Sequence, residues 1–149
     1  ITFRSYGTWL HGDPRGCVDK KNNRFNSPIL PPDVKRYEYR ISQLKHPPVI
    51  FNTWQRGLIE QAIRDVCSYR NWQLYAINVR TNHVHSVVAA DELPERIMRE
   101  FKAYATRRLR ENDAISKSTK LWTKHGSTRY LWKGYQVQRA IQYVLFEQD

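Results

Sequence analysis

The sequence predicts a mixed α/β domain in which helices pack on one antiparallel sheet. Two observations carry that prediction. Residues 72–79 (WQLYAINV) and 83–90 (HVHSVVAA), rich in β-branched and aromatic types, flank a tight Arg80-Thr81-Asn82 connection, the pattern of a β-hairpin. On either side of it, apolar residues recur at helical spacing: Leu58, Ile59, Ala62, Ile63 and Val66 before, then Ile97, Phe101, Ala105 and Leu109 after. With 149 residues the chain fits one domain, residues 1–149, large enough to bury a core without metal or disulfide staples.

Taken in order, residues 1–10 (ITFRSYGTWL) suit an opening strand, and Gly12-Asp13-Pro14-Arg15-Gly16 signals a turn. Residues 17–48 are polar and Pro-rich and cannot be one long element, so they read as a loop excursion with a short helix over 33–44. Thr53 caps the first long helix, which runs to about Tyr69, with Arg56 at the capping-box position. The hairpin follows and puts two histidines at the start of its second strand. Pro94 belongs in the first turn of the next helix, which runs to about Arg110. Leu121-Trp122 and Tyr130-Leu131-Trp132 flank a Lys124-His125-Gly126-Ser127 turn and suggest two short strands or an irregular arm, before a final helix from near Gly134.

Composition narrows the partner. Lys and Arg number 25 against 14 Asp and Glu, a formal charge of +11, which favours a polyanion. Nucleic acid fits better than an anionic membrane, because the basic residues are spread over loops and several elements instead of lining one amphipathic helix. The longest apolar stretch, 87–90, is far too short to span a bilayer, and no charged-then-apolar leader is visible. Cys17 and Cys67 form no Cys-x-x-Cys pair and read as free thiols in a reducing cytosol.

The residues with chemical potential begin with His83-Val84-His85. Side chains alternate across a strand, so both imidazoles face one side and suit a shared metal ion, although such a pair also arises by chance on a solvent face and a divalent ion needs a further ligand. The last helix offers one. Val137, Ala140, Ile141, Val144 and Leu145 form an apolar arc for packing on the sheet; Tyr143 and Glu147 stand together at its edge, and Gln148 falls on the packed side. Tyr143 is either an ordinary boundary aromatic or a nucleophile, the latter needing help, since a phenol of pKa about 10 attacks phosphorus poorly unless charge on the phosphate is stabilised. Tyr104, beside the Phe101 and Ala105 stripe, reads as core or groove lining. Lys102, Arg107, Arg108, Arg110, His125 and Arg129 are candidate phosphate contacts, the plain alternative being a solvated surface. Trp9, Trp122, Tyr130 and Trp132 suit either core packing or stacking on unpaired bases.

Together these residues resemble a known family, the single-tyrosine HUH transposases, and especially the REP-associated tyrosine transposase type. Asn82-His83-Val84-His85 is similar to that family's metal motif, in which a hydrophobic residue separates two histidines. Ile141-Gln142-Tyr143-Val144 through Gln148 is similar to its catalytic helix. Tyr6-Gly7-Thr8-Trp9-Leu10-His11-Gly12-Asp13 and the run from Phe101 to Arg108 resemble further segments, so the likeness covers most of the chain. It implies a ferredoxin-like domain with its catalytic helix at the C-terminus, acting in the bacterial cytosol or nucleoid as a monomer or homodimer. It implies a divalent metal, Mg or Mn, and a single-stranded or hairpin DNA substrate that is nicked to leave a 5′-phosphotyrosine. The family's glutamine ligand often lies four residues after the tyrosine; here that position holds Glu147, with Gln148 next, and either can be the third ligand. A rival reading is a non-catalytic hairpin or single-strand binder derived from such an enzyme. A hydrolase of small substrates would leave the charge of +11 without a purpose.

Overall fold

A computed structural model of the protein describes residues 1–16 and 28–147; Cys17, the first part of the Pro-rich excursion and Gln148 lie outside the described residues. The elements are β1 (Thr2–Ser5), α1 (Val34–Ser42), α2 (Thr53–Arg70), β2 (Gln73–Val79), β3 (His83–Ala89), α3 (Pro94–Glu111), β4 (Trp122–Ser127) and α4 (Gly134–Phe146). The four strands form one sheet in the order β2-β3-β1-β4, every neighbouring pair antiparallel. With α1 and α4 set aside, the succession β-α-β-β-α-β is the ferredoxin-like arrangement.

Alternation along the strands divides this sheet into two faces. Phe3, Ile77, Val79 and Val84 point to one face and join Ile59, Ile63 and Val66 of α2 with Ile97, Phe101, Ala105 and Leu109 of α3 in the main core. Ala76 and Val87 point to the other face, where Val144 of α4 covers them, with Val137, Ala140, Ile141 and Leu131 packed around. Leu74 belongs to the main core although it is two residues from Ala76. A register irregularity between those two residues explains this, since an extra residue in a strand reverses the facing of what precedes it.

Local chemistry sets the helix ends. Asn52, and not Thr53, caps α2: its side chain accepts from the Gln55 amide while the Gln55 side chain accepts from the Asn52 amide, a reciprocal box that satisfies two otherwise orphaned donors. Asn71 ends the helix in the left-handed region (φ 57°), a conformation asparagine tolerates. Pro94 opens α3 as expected. The α1 helix is capped by Asp33 and buries none of its residues.

Three expectations need correction. The opening strand stops at Ser5, because Gly7 (φ 76°) turns the chain against Pro48. Residues 124–127 are not a turn but the body of β4, which pairs with β1; Tyr130-Leu131-Trp132 is not a strand. Gly126 is what lets β4 close on β1, since a Cβ there would meet the Thr2 carbonyl at 2.4 Å and the Met98 sulfur at 2.7 Å. Leu145, placed by periodicity on the packed arc, is 43 % exposed and outside the Val144 cluster, because α4 packs through the narrower stripe of Val137, Ala140, Ile141 and Val144.

This division of the core fixes relative costs. Phe101→Ala, at a fully buried position, should cost about 3–5 kcal/mol by denaturant unfolding, whereas Leu145→Ala should stay within about 0.5 kcal/mol.

Candidate active site

The histidines lie on the face that α4 covers. Val84 is buried in the main core, so His83 and His85 on either side of it project oppositely, with ring centroids 4.6 Å apart. β1 supplies their neighbours: Thr2 pairs with His85 and Arg4 with His83 across the ladder. On the other flank Asn78 of β2 stands opposite His85.

Each imidazole is oriented through Nδ1. Thr2 Oγ1 lies 2.7 Å from His85 Nδ1, and Asn82 Oδ1 lies 2.6 Å from His83 Nδ1. Asn82 accepts through its oxygen, which puts the His83 proton on Nδ1 and the lone pair on Nε2, the tautomer a metal ligand requires. Burial, reinforced by the neighbouring His83, lowers the His85 pKa from its ordinary value to about 3, so this imidazole is neutral at physiological pH. Two adjacent, oriented imidazoles fit half of a divalent-metal site. Among the described residues no group of three His, Cys, Asp or Glu side chains is assembled, so the pair needs a ligand from elsewhere. Glu147 is exposed at the C-cap of α4, and Gln148 is beyond the described residues.

The α4 helix brings Tyr143 to this pair. Its ring centroid is 6.3 Å from that of His85, at 80°, and the residue is 49 % exposed, so the phenol borders solvent and the imidazoles together. Two contacts hold the helix there: Val144 packs on Ala76 and Val87, and the Asn78 side-chain amide donates to the Val144 carbonyl at 2.9 Å. That bond satisfies one of the carbonyls a helix C-terminus leaves without a partner, and it does so next to Tyr143.

A wall of residues 8–16 bounds the His83 side. Trp9 meets the His83 ring edge-on at 6.1 Å and donates to the Gly16 carbonyl at 3.0 Å. The Arg4 guanidinium is 4.0 Å from the Trp9 ring centroid and that of Arg15 is 4.7 Å from it. Asp13, 2 % exposed, accepts from Arg15 Nε and Nη2 at 2.8 and 2.7 Å; these bonds lower the carboxyl pKa and clamp the turn. Thr2, Arg4, Arg15, Asn78 and the orienting role of Asn82 were not singled out from sequence. The alternation of Thr2 and Arg4 along β1 was the available signal; Arg15 and Asn78 gave none.

The basic candidates are dispersed. Lys102, Arg107 and Arg110 line one groove of about 750 Å³ with Lys117 and Trp122, but α3 packs on the sheet face opposite Tyr143. Lys102 is internally engaged, donating to the carbonyls of Thr123 (2.9 Å) and His125 (3.3 Å), and burial lowers its pKa. Arg108 pairs with Asp65 of α2, and Arg107 lies over the Tyr104 ring at 4.9 Å. His125 is an exposed strand residue of β4, and Arg129 follows that strand. Tyr104 is half-buried against the main core, as its helix position suggested.

The ferredoxin-like sheet thus carries a His-hydrophobic-His strand, and α4 brings a tyrosine to the same face, the arrangement that the sequence resemblance implies. The family model described as "Transposase IS200 like" matches residues 36–142, well over half of the chain. The protein belongs to this IS200-like, single-tyrosine HUH transposase family, which makes DNA its partner. The match covers both histidines and ends one residue before Tyr143. No curated protein matches the chain. Among the described residues no helix is long and apolar enough to cross a membrane.

The split among the basic residues predicts two kinds of mutant. Lys102→Met removes hydrogen bonds from a charged donor and should cost about 1.5–3 kcal/mol in thermal or denaturant unfolding. Arg107→Ala, at an exposed position, should change stability by no more than about 0.5 kcal/mol.

Proposed function

We propose that the protein nicks and rejoins single-stranded DNA through a covalent phosphotyrosine on Tyr143. The observation that carries this reading is the placement of the Tyr143 ring 6.3 Å from His85, on the face of the sheet where the two imidazoles project. His83 and His85, completed by Glu147 or Gln148, would hold a divalent ion, Mg or Mn. Such an ion supplies charge withdrawal from the phosphate oxygens.

The residues of the chain do the rest. Tyr143 Oη attacks the scissile phosphorus, the Oη–P bond forms as the P–O3′ bond breaks, the phenolic proton passes to solvent, and the departing 3′-oxygen takes up a proton. One phosphoester replaces another, so a 3′-hydroxyl reverses the step and reseals the strand without ATP. Thr2 and Asn82 keep both imidazoles facing the phosphate, while Asn78 and Val144 fix the helix that presents the nucleophile. Arg4, its guanidinium over the Trp9 ring, adds positive charge beside His83 for the incoming strand, while the Asp13–Arg15 pair holds the turn that carries Trp9. Arg107 and Arg110, in the groove on the opposite face, contact phosphates of DNA folded around the β4 edge, with His125 and Arg129 along that route. Within the family, the segment from Tyr6 to Asp13 favours the REP-associated type and with it a hairpin substrate.

The decisive experiment is a suicide oligonucleotide whose downstream piece cannot be religated. It should become linked through its 5′ end to Tyr143, identified by peptide mapping, and Tyr143→Phe should bind DNA but form no adduct. An adduct on Tyr104, or cutting by Tyr143→Phe, contradicts the assignment; intact DNA binding with no adduct from the parent protein makes it a binding protein. His85→Ala should lower the cleavage rate roughly 100-fold or more. Thr2→Val, which removes only the orienting bond to His85, should weaken Mn binding by roughly 10- to 100-fold in a titration.

A further inference from the structure

The groove on α3 lies on the sheet face opposite Tyr143, so a strand threaded past Tyr143 needs a separate hold on the catalytic face. The segment leading into α4 has the chemistry for one. Tyr130 and Trp132 stack on each other, ring centroids 5.1 Å apart and interplanar angle 10°, yet Trp132 is 80 % exposed. Tyr135, the second residue of α4, is also exposed, with the Lys133 ammonium 5.9 Å from its ring.

Two features set these rings in advance. Leu131, between the stacked pair, packs against the cluster of Ala76, Val87 and Val144, which anchors the segment while Tyr130 and Trp132 stay exposed. The Gln136 side-chain oxygen accepts from the backbone amides of Trp132 (2.9 Å) and Lys133 (3.1 Å), tying the segment to the first turn of α4. Exposed rings at the surface of a chain of charge +11, with Arg129 and Lys133 beside them, match a partner that offers flat unpaired bases on an anionic backbone.

We propose that Tyr130 and Trp132, with Tyr135 and Lys133 beside them, form a base-stacking platform that grips unpaired bases of the DNA strand on the catalytic face. It rests on the nicking function proposed above and adds where the strand is held. From Gly134 to Tyr143 the helix rises about 14 Å at about 1.5 Å per residue. At about 3.4 Å per nucleotide of a stacked strand, and more for an extended one, the gripped base lies within roughly four nucleotides of the scissile phosphate.

The test compares the parent chain, Trp132→Ala and Trp132→Phe for binding to fluorescent oligothymidylate across a salt series. Trp132→Ala should weaken binding by about 5- to 150-fold without changing the log-log salt slope, while Trp132→Phe stays near the parent. Iodouracil-substituted strands should cross-link to Tyr130, Trp132 or Tyr135, with the yield falling as the substituted base moves away from the predicted position. Thermal unfolding of Trp132→Ala should match the parent, because the side chain it removes is exposed. Parent-like affinity in Trp132→Ala, cross-links confined to other residues, or a Trp132-dependent self-association with unchanged DNA affinity would each overturn the platform, the last making it an interface between copies. The Tyr143 adduct is measured separately at saturating oligonucleotide. An adduct with parent-like binding by Trp132→Ala sinks the platform alone, and binding with no adduct from any variant sinks the nicking reading alone.

Discussion

The site depends on the register of β3 between β1 and β2. Val84 is held in the main core by Phe3 and Val79 on its own sheet and by the helices behind them, and that burial turns His83 and His85 to the opposite face. A shift of one residue would bury the imidazoles and expose Val84, inverting every contact described for them. Because both neighbouring strands are antiparallel and paired in register here, the same alternation brings Thr2 and Arg4 from one side and Asn78 from the other onto the histidine face. The hydrogen bond that orients His85 follows from this placement, and the one that orients His83 comes from Asn82 in the tight connection just before it.

The two sheet faces thus have different work. One is closed by α2 and α3 and supplies the main core; its outer surface carries the groove of Lys102, Arg107 and Arg110. The other is only partly covered by α4, through a small cluster around Val144. A thin cover of this kind suits an element that must present Tyr143 to a large substrate, since a helix buried on a broader front would enclose the phenol. The bond from Asn78 to the Val144 carbonyl adds to the small packing area by tying the helix down at the residue next to Tyr143.

Much of this was legible in the chain. Periodicity located the hairpin, both long helices and the final helix, because each has a continuous apolar stripe that a helix or strand must bury. The His83 and His85 pair was visible for the same reason. β4 was misread because Lys124, His125, Gly126 and Ser127 have turn-like composition, and only the tertiary need of β1 for a second partner makes them a strand. Lys102, a candidate phosphate contact, also donates to two carbonyls of that strand, an engagement that no sequence pattern reveals. Leu145 was put on the packed arc because helical spacing records direction and not how wide a stripe the neighbouring elements cover. The roles of Asn78 and Arg15 required the fold itself, since their partners Val144 and Asp13 are joined to them by contacts with no sequence periodicity.

The central claim is that an ion at the histidine pair and the Tyr143 phenol share one small volume. Tyrosine-labelled protein titrated with Mn in an NMR experiment tests this directly, because a paramagnetic ion broadens nearby ring signals steeply with distance. The account predicts that the Tyr143 resonance disappears first, that Tyr104 and Tyr69 on the helices of the opposite face persist, and that His83→Ala abolishes the selectivity. Uniform broadening of all tyrosines, or loss of Tyr104 before Tyr143, would contradict it.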